Sequence, residues 1–366
     1  MIINTGGRTD TVQYFAPWLL RRFEEGYVLS RNPQFPDKVN RYELTPDKVD
    51  CVLFCSKNYE PILKDIHRIT NRFGSYFFYT ITAYGKDVEP GVPSIEESIS
   101  TLKELSSIVG RQRLTWRYDP VLLTERYTVE RHIETFSRMA REIAPYVRNC
   151  VFSFVDMYDK LLFNMPEIIP LTQEDMDVLA EALGRIAGEC GLSIQICGTD
   201  TDYSRFGIGR SGCMTLEVLG EANGMGFRDL KHRGMRNGCH CIESRDIGWY
   251  DTCLNGCKYC YANSNPNKAF ENYSLHDVDS PLLLGHLKDT DTVQQGDQRS
   301  FLKRRPNLVR LDDFQRSHSP RCSHSVSTGH SPQQGDLGRQ QVLPSMMNPM
   351  SRSSHLSWGI FSAMAA

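Results

Sequence analysis

At 366 residues, with 40% hydrophobic and 23% charged side chains and a formal charge of −2, the chain has room for a large core and no global field for polyanions. It has no run of about 18 apolar residues, which argues against a membrane span. The opening Met1-Ile2-Ile3-Asn4-Thr5-Gly6-Gly7-Arg8 lacks the basic start and apolar stretch of a signal peptide.

The first half alternates short β-rich runs with helical patterns, as βα units do. Residues 1–4 read as a strand that delivers Arg8-Thr9-Asp10 into a loop. Residues 12–25, with Phe15, Trp18, Leu19 and Phe23, read as an amphipathic helix ended by Gly26. Residues 27–31 and 40–44 form an expected hairpin around Asn32-Pro33. Residues 50–55 are an apolar strand running into Ser56-Lys57-Asn58, 59–73 a helix, and 76–82 a strand rich in aromatics and Thr. Ser94-Ile95-Glu96-Glu97 has the form of a capping box for a helix reaching Val109. A strand over 113–116 ends in Arg117-Tyr118-Asp119-Pro120, a helix covers 128–144, and a strand over 150–155 ends in Asp156. The helix over 172–190 has Thr172 as N-cap and Gly191 as its stop, and a sixth strand, 193–197, follows.

Polar groups follow every strand: Arg8 and Asp10, Lys57 and Asn58, Tyr84 and Lys86, Arg117 and Asp119, Asp156, then Cys197 and Asp200. Any one of them could be a helix cap or a solvated loop charge, and Arg117 could simply pair with Asp119. Their succession favours a shared site, because parallel α/β sheets and barrels bind ligands at the carboxyl ends of their strands.

From Ser204 onward glycines break the pattern, and cysteines gather. Five of the twelve lie between residues 239 and 260, in a chain with no export signal, which favours reduced, metal-binding thiols in a cytoplasmic protein. Cys239-His240-Cys241 could chelate through both thiolates. With Cys197 and Cys213 it makes four thiols available for a second iron–sulfur cluster or a zinc, unless Cys197 and Cys213 are small buried hydrophobes. Cys51, Cys55, Cys150 and Cys190 read as core. Cys253, Cys257 and Cys260, spaced Cys-x3-Cys-x2-Cys, can turn three thiolates toward one point. That suits three corners of a [4Fe-4S] cluster, whose full ligand set is four, or a structural zinc. Residues 304–366 contain 12 Ser, and seven Arg against three Asp, with no sustained apolar period, a composition expected to be disordered.

Several stretches together carry a resemblance. Arg8-Thr9-Asp10, Gly26-Tyr27-Val28-Leu29, Arg31-Asn32-Pro33, Ser56-Lys57-Asn58 and the run from Thr80 to Pro90 form the first part. Arg117-Tyr118-Asp119-Pro120, Ser153-Phe154-Val155-Asp156, Cys239 to Gly248 and Cys253 to Asn263 complete it. Over roughly residues 1–303 the chain resembles an uncharacterised, mainly prokaryotic family, domain of unknown function 1848. Its C-terminal cysteine cluster is similar to that of radical S-adenosylmethionine (SAM) proteins, spore photoproduct lyase in particular. Gly6-Gly7-Arg8 departs from the family's pattern, standing where a second Arg is expected, and could bring backbone N–H groups close to an anion.

The resemblance implies a [4Fe-4S] cluster on Cys253, Cys257 and Cys260 whose open iron chelates SAM, and an external reducing electron donor. Asp10, Asp119 and Asp156 would meet the amino group or ribose hydroxyls of SAM. Arg8, Lys57 and Arg117, with Asn58 beside them, would meet its carboxylate or an anionic substrate. The expected fold is α/β: a TIM-like or partial (β/α) barrel of about six parallel strands, residues 1–203, completed by a Cys-rich segment, 204–303, packed over the strand carboxyl ends. The alternatives are a structural zinc or iron–sulfur protein without SAM chemistry, and a nucleic-acid repair enzyme. The near-neutral charge disfavours the latter.

Overall fold

The computed structural model describes residues 1–210, 212–228 and 239–303; the tail expected to be disordered, and Cys322 within it, lie outside them. β1 (Ile2–Asn4) opens the chain, and the expected helix over 12–25 is two pieces, α1 (Thr11–Tyr14) and α2 (Ala16–Glu25). The break falls at Phe15 because Pro17 has no N–H to continue a helix and sits instead in the first turn of a new one. Gly26, at φ 80°, ends α2 in the left-handed cap expected of it. β2 (Tyr27–Arg31) and β3 (Lys38–Glu43) form the hairpin, then β4 (Cys51–Ser56) follows.

The helix expected over 59–73 is a chain of tight turns containing only α3 (His67–Thr70). Pro61 sits in the first turn, yet Ile62, Ile66, Ile69 and Phe73 still face the core, so the turns satisfy the same apolar spacing. β5 (Ser75–Thr80) leads to α4 (Ile95–Val109), where Ser94 and Glu97 make the capping box. β6 (Leu114–Val121) runs further than 113–116. Its register with the next strand shifts between Tyr118 and Val121, which carries the pairing past Pro120. α5 (Val129–Ile143), β7 (Asn149–Phe154), α6 (Asp159–Asn164), α7 (Gln173–Glu189) and β8 (Ser193–Ile196) complete the repeating part. Then come β9 (Ile208–Gly209), α8 (Leu216–Asn223), β10 (Arg245–Asp246), α9 (Pro266–Tyr273) and β11 (Thr292–Gln295).

One sheet of eight strands in the order β10-β1-β4-β5-β6-β7-β8-β9, every pair parallel, organises the unit Met1–Arg305. The count is eight rather than about six because β9 and β10, two residues each, lengthen the sheet at its two edges. A second sheet, β11-β3-β2, stands apart.

Alternate residues of the large sheet serve different layers, as expected for parallel strands buried on both faces. Val52, Phe54, Phe77, Tyr79, Trp116, Cys150, Phe152 and Ile194 pack with α2, α4, α5 and α7 in the main core. Cys51, Leu53, Tyr76 and Phe78 face the other way, toward Val218 and Leu219 of α8, Ile242 and Phe301. Residues after β8 therefore cover the second face of the sheet. Among the described residues, no helix is long and apolar enough to cross a membrane.

Candidate metal centre at the strand carboxyl ends

The loops after β1, β4, β5 and β7 converge on the three-cysteine segment. Asp10, the N-cap of α1, accepts hydrogen bonds from Ser56 Oγ (2.7 Å), Lys57 N (2.9 Å), Gln13 N (3.0 Å) and Asn255 Nδ2 (3.4 Å). It thereby ties β1, β4 and the cysteine loop together. Asn255, buried between Cys253 and Cys257, also accepts from Tyr14 Oη at 3.0 Å, and its carbonyl accepts from Gly91 N at 2.8 Å. Gly256 follows at φ 63°, a conformation that costs a residue with a Cβ and that turns the chain from Cys253 toward Cys257. Lys258 N donates to Val88 O at 3.0 Å, so the loop lies on the segment between β5 and α4.

Glu89, in that segment, is the buried anion beneath the loop. It accepts from Lys57 Nζ (2.9 Å), Thr82 Oγ1 (2.8 Å) and Tyr259 Oη. Lys57 Nζ also lies 5.6 Å from the Tyr259 ring centroid. Tyr158 Oη donates to Tyr259 O (2.6 Å), and Lys160 Nζ of α6 donates to Tyr261 O (2.8 Å) and Asn263 O (2.7 Å), fixing the far side of the loop.

The three thiols interact electrostatically with one another. Burial pushes Cys253 up to about 12, aided by the Asp10 carboxylate. Burial and then Glu89 push Cys257 well above the ordinary thiol range, against the pull of Lys57. Buried thiols beside two carboxylates, with one lysine nearby, hold their protons until a cation replaces them.

Arg117 and Asp119 pair with each other, and Asp119 also accepts from Ser153 Oγ. Arg117 Nη1 donates to Cys55 Sγ at 3.1 Å. Cys55, expected in the core, is half-buried and belongs to this polar face of β4. Arg8 stands at the β1/β10 end, 4.0 Å from Asp246 and facing the Tyr250 ring at 5.8 Å. The anion near Gly6-Gly7 is Asp246, which accepts from Gly7 N at 2.8 Å. Asn58 Oδ1 caps the turn at Glu60 N (3.0 Å). Asp156 is exposed beyond β7 and close enough to Tyr158 to raise it, after burial and Cys260, toward about 12.

Glu89 and Asp246 were not singled out by the sequence, since one lies in a Pro/Gly-rich loop and the other in a two-residue strand; only the fold brings them to the site. Four buried side-chain atoms around the loop have no hydrogen-bond partner: Thr9 Oγ1, Gln13 Oε1, Arg117 Nε and Asn263 Oδ1.

A second group of thiols stands apart from the loop. Cys197, Cys213 and Cys241 bring their sulfurs within 4.8 Å of one another, with Cys213 Sγ and Cys241 Sγ 3.2 Å apart, and the three could hold a metal. Cys239 stands beside them, close enough to shift the titration of Cys197 and Cys241. All these cysteines are free.

A model of DUF1848, a domain of unknown function, matches residues 2–262. No curated protein matches the chain. Among solved structures, HMG-CoA lyase from Brucella melitensis is similar at 12% identity and TM-score 0.32, with 72% of this chain and 85% of that chain covered. An endocellulase from Pyrococcus horikoshii is similar at 12% identity and TM-score 0.27, over 48% of this chain. The match spans 58% of the endocellulase, less than two thirds of its length. At these scores neither likeness bears on the chemistry.

Proposed function

The chain belongs to the DUF1848 family, and from that premise we propose that it is a radical SAM-like enzyme with a [4Fe-4S] cluster on Cys253, Cys257 and Cys260. One observation carries the reading: three mutually interacting thiols, Cys253 buried and Cys257 and Cys260 half-buried, lie over the strand carboxyl ends, among unpartnered buried polar atoms. The thiols fit iron, because thiolates are the usual ligands of such clusters and three of them leave one iron open. The unpartnered Thr9, Gln13, Arg117 and Asn263 atoms fit a polar ligand, since buried polar groups seek hydrogen bonds. When bound, the cluster would supply the electron that cleaves SAM reductively.

The chain's own residues do the rest. Asp10, its oxygens already taken, holds the loop in register with β1 and β4. Glu89 and Lys57 neutralise each other beneath Tyr259 and keep the wall of the site dry. Arg117 and Arg8 offer guanidinium groups for a carboxylate or an anionic substrate, and Asp119 and Asp156 offer acceptors for an amino group or hydroxyls. In this reading residues 204–303 complete the barrel-like unit begun by 1–203, and an external reductant and a substrate of unassigned class complete the system.

The test is anaerobic reconstitution with iron and sulfide, followed by assay for 5'-deoxyadenosine under reductant. The wild type is expected to gain iron, acid-labile sulfide and the product, and Cys257→Ala to lose all three. A wild-type chain that takes up no acid-labile sulfide would falsify the reading; one with sulfide but no 5'-deoxyadenosine would leave a cluster protein without SAM chemistry.

A further inference from the structure

The four remaining thiols occupy the place where the large sheet runs out of partners. Cys197 follows β8, and Cys213 follows the edge strand β9. Cys239 and Cys241 precede β10, the opposite edge. Among the described residues no ladder joins β9 to β10, yet the flanking segments touch. Ile242 N donates to Met214 O at 3.0 Å, and a Cβ on Gly212 would stand 2.6 Å from the His240 carbonyl. Side chains from both edges thus meet at one cluster of sulfurs.

We propose that Cys197, Cys213, Cys239 and Cys241 hold a single zinc-class ion in a tetrahedral tetrathiolate site, and that this ion staples the two free edges of the sheet to each other. The spacing separates one ion from a cluster. Zinc–sulfur bonds of about 2.3 Å in tetrahedral array put the sulfurs about 3.8 Å apart. Here three sulfurs lie within 4.8 Å and one pair at 3.2 Å, and Cys239 lies close enough to Cys197 and Cys241 to shift their titration. An iron–sulfur cube distributes its ligands over four separate irons and holds them further apart. The donor set is also closed: four protein ligands leave no position for a substrate, which marks a structural rather than a catalytic ion.

Charge supports the assignment. Four thiolates around a divalent ion leave two negative charges in a half-buried place. The Arg117 guanidinium faces them, interacting with both Cys213 and Cys197 while it donates to Cys55. Packing supports it as well: Cys213, Cys239 and Cys241 sit against the apolar layer formed by Leu53, Phe78 and Leu219, where an unmetallated thiolate cluster would be costly. The ion would do at this seam what ladder hydrogen bonds do elsewhere in the sheet.

The test uses the full chain purified without air, with zinc and iron measured separately, so that this site and the cysteine loop are read independently. About one zinc per chain is expected, retained in Cys257→Ala and lost in the double variant C213S/C241S. Cys213→His is expected to keep the zinc, since zinc accepts imidazole in place of a thiolate. In the wild type, chelation of zinc should raise hydrogen exchange at the Ile242 amide about tenfold or more, while the β5 and β6 amides stay protected. Should the double variant not fold, cobalt in the wild type gives the same answer through the visible bands of a tetrahedral thiolate complex. Zinc-free protein whose iron fills both cysteine groups would overturn the proposal, and so would zinc that survives C213S/C241S. Zinc at this site with no iron at the loop would uphold it while removing the function proposed above.

Discussion

Glu89 carries more of the site than its position in a Pro/Gly-rich loop announces. Its carboxylate is 3% exposed on its side chain and is held by Lys57, Thr82 and Tyr259. Glu89→Gln keeps the size and removes the charge, leaving the Lys57 ammonium buried without its partner. We expect a loss of about 3 kcal/mol in urea unfolding, and a smaller loss when Lys57→Met is added, because the pair is then removed as a unit. A double-variant loss equal to the sum of the Glu89→Gln and Lys57→Met losses would show that the two charges are not coupled. Gly6 makes a second test at this scale. A Cβ there would lie 2.1 Å from the carbonyl oxygen of Cys55, and backbone cannot move aside as a flexible side chain would. Gly6→Ala should cost about 1–3 kcal/mol by the same measurement and shift the β4 end that presents Lys57.

At the scale of elements, the helix starts are the most direct evidence of sequence acting locally. Thr172 accepts from Asp175 N, and Asp175 reaches back to Thr172 N at 2.9 Å. Thr172→Ala should destabilise the protein by about 1 kcal/mol, read as a lower urea midpoint with an unchanged slope. This cap, the Ser94 box, the Gly26 stop and the six apolar strand runs are readable because each depends on residues within a few positions. Misreadings arise where distance decides. Residues 59–73 carry the apolar period of a helix, yet Pro61 and the packing of Ile62, Ile66 and Ile69 turn it into short pieces. β9 and β10 are too short to show any period. Cys55 looked like core because its neighbours are apolar, and only the strand pairing shows it beside Arg117. Of the candidate site, the thiol spacings were legible. The identity of their buried counter-charges was not, since Glu89 finds Lys57 across 32 residues and Tyr259 across 170.

For the molecule as a whole, pH acts through buried groups. His132 lies in the main body of the fold, its Nε2–H donating to Leu122 O at 2.8 Å and its Nδ1 accepting from Tyr118 Oη at 2.7 Å. Burial lowers it from 6.5 to about 4. The unfolded chain therefore takes up this proton first as pH falls. The contribution is whole above about pH 6.5 and is lost between there and about pH 4, at 1.36 kcal/mol per pH unit, or about 3 kcal/mol in all. Asp10 and Asp246, which burial raises, act with the opposite sign above the ordinary carboxylate range, so the His132 share is isolated by comparison with His132→Gln. The difference in unfolding free energy between the two proteins should widen in favour of the wild type as pH rises from 4 to 6.5; a constant difference would show that His132 does not carry the effect.

Chain order can also be read as time. During synthesis the strands from β1 to β8, with Asp10, Lys57, Glu89 and Arg117, emerge before Cys253, Cys257 and Cys260 do. The receptacle is made first and the thiolates are lowered onto it last. In the function proposed above, metal loading is a terminal maturation step onto a body that already has its core, in contrast to small zinc domains that need the ion in order to fold at all. Protein made in iron-starved cells should accordingly be recoverable in folded form, with its far-UV circular dichroism intact, and should accept iron afterwards without passing through denaturant.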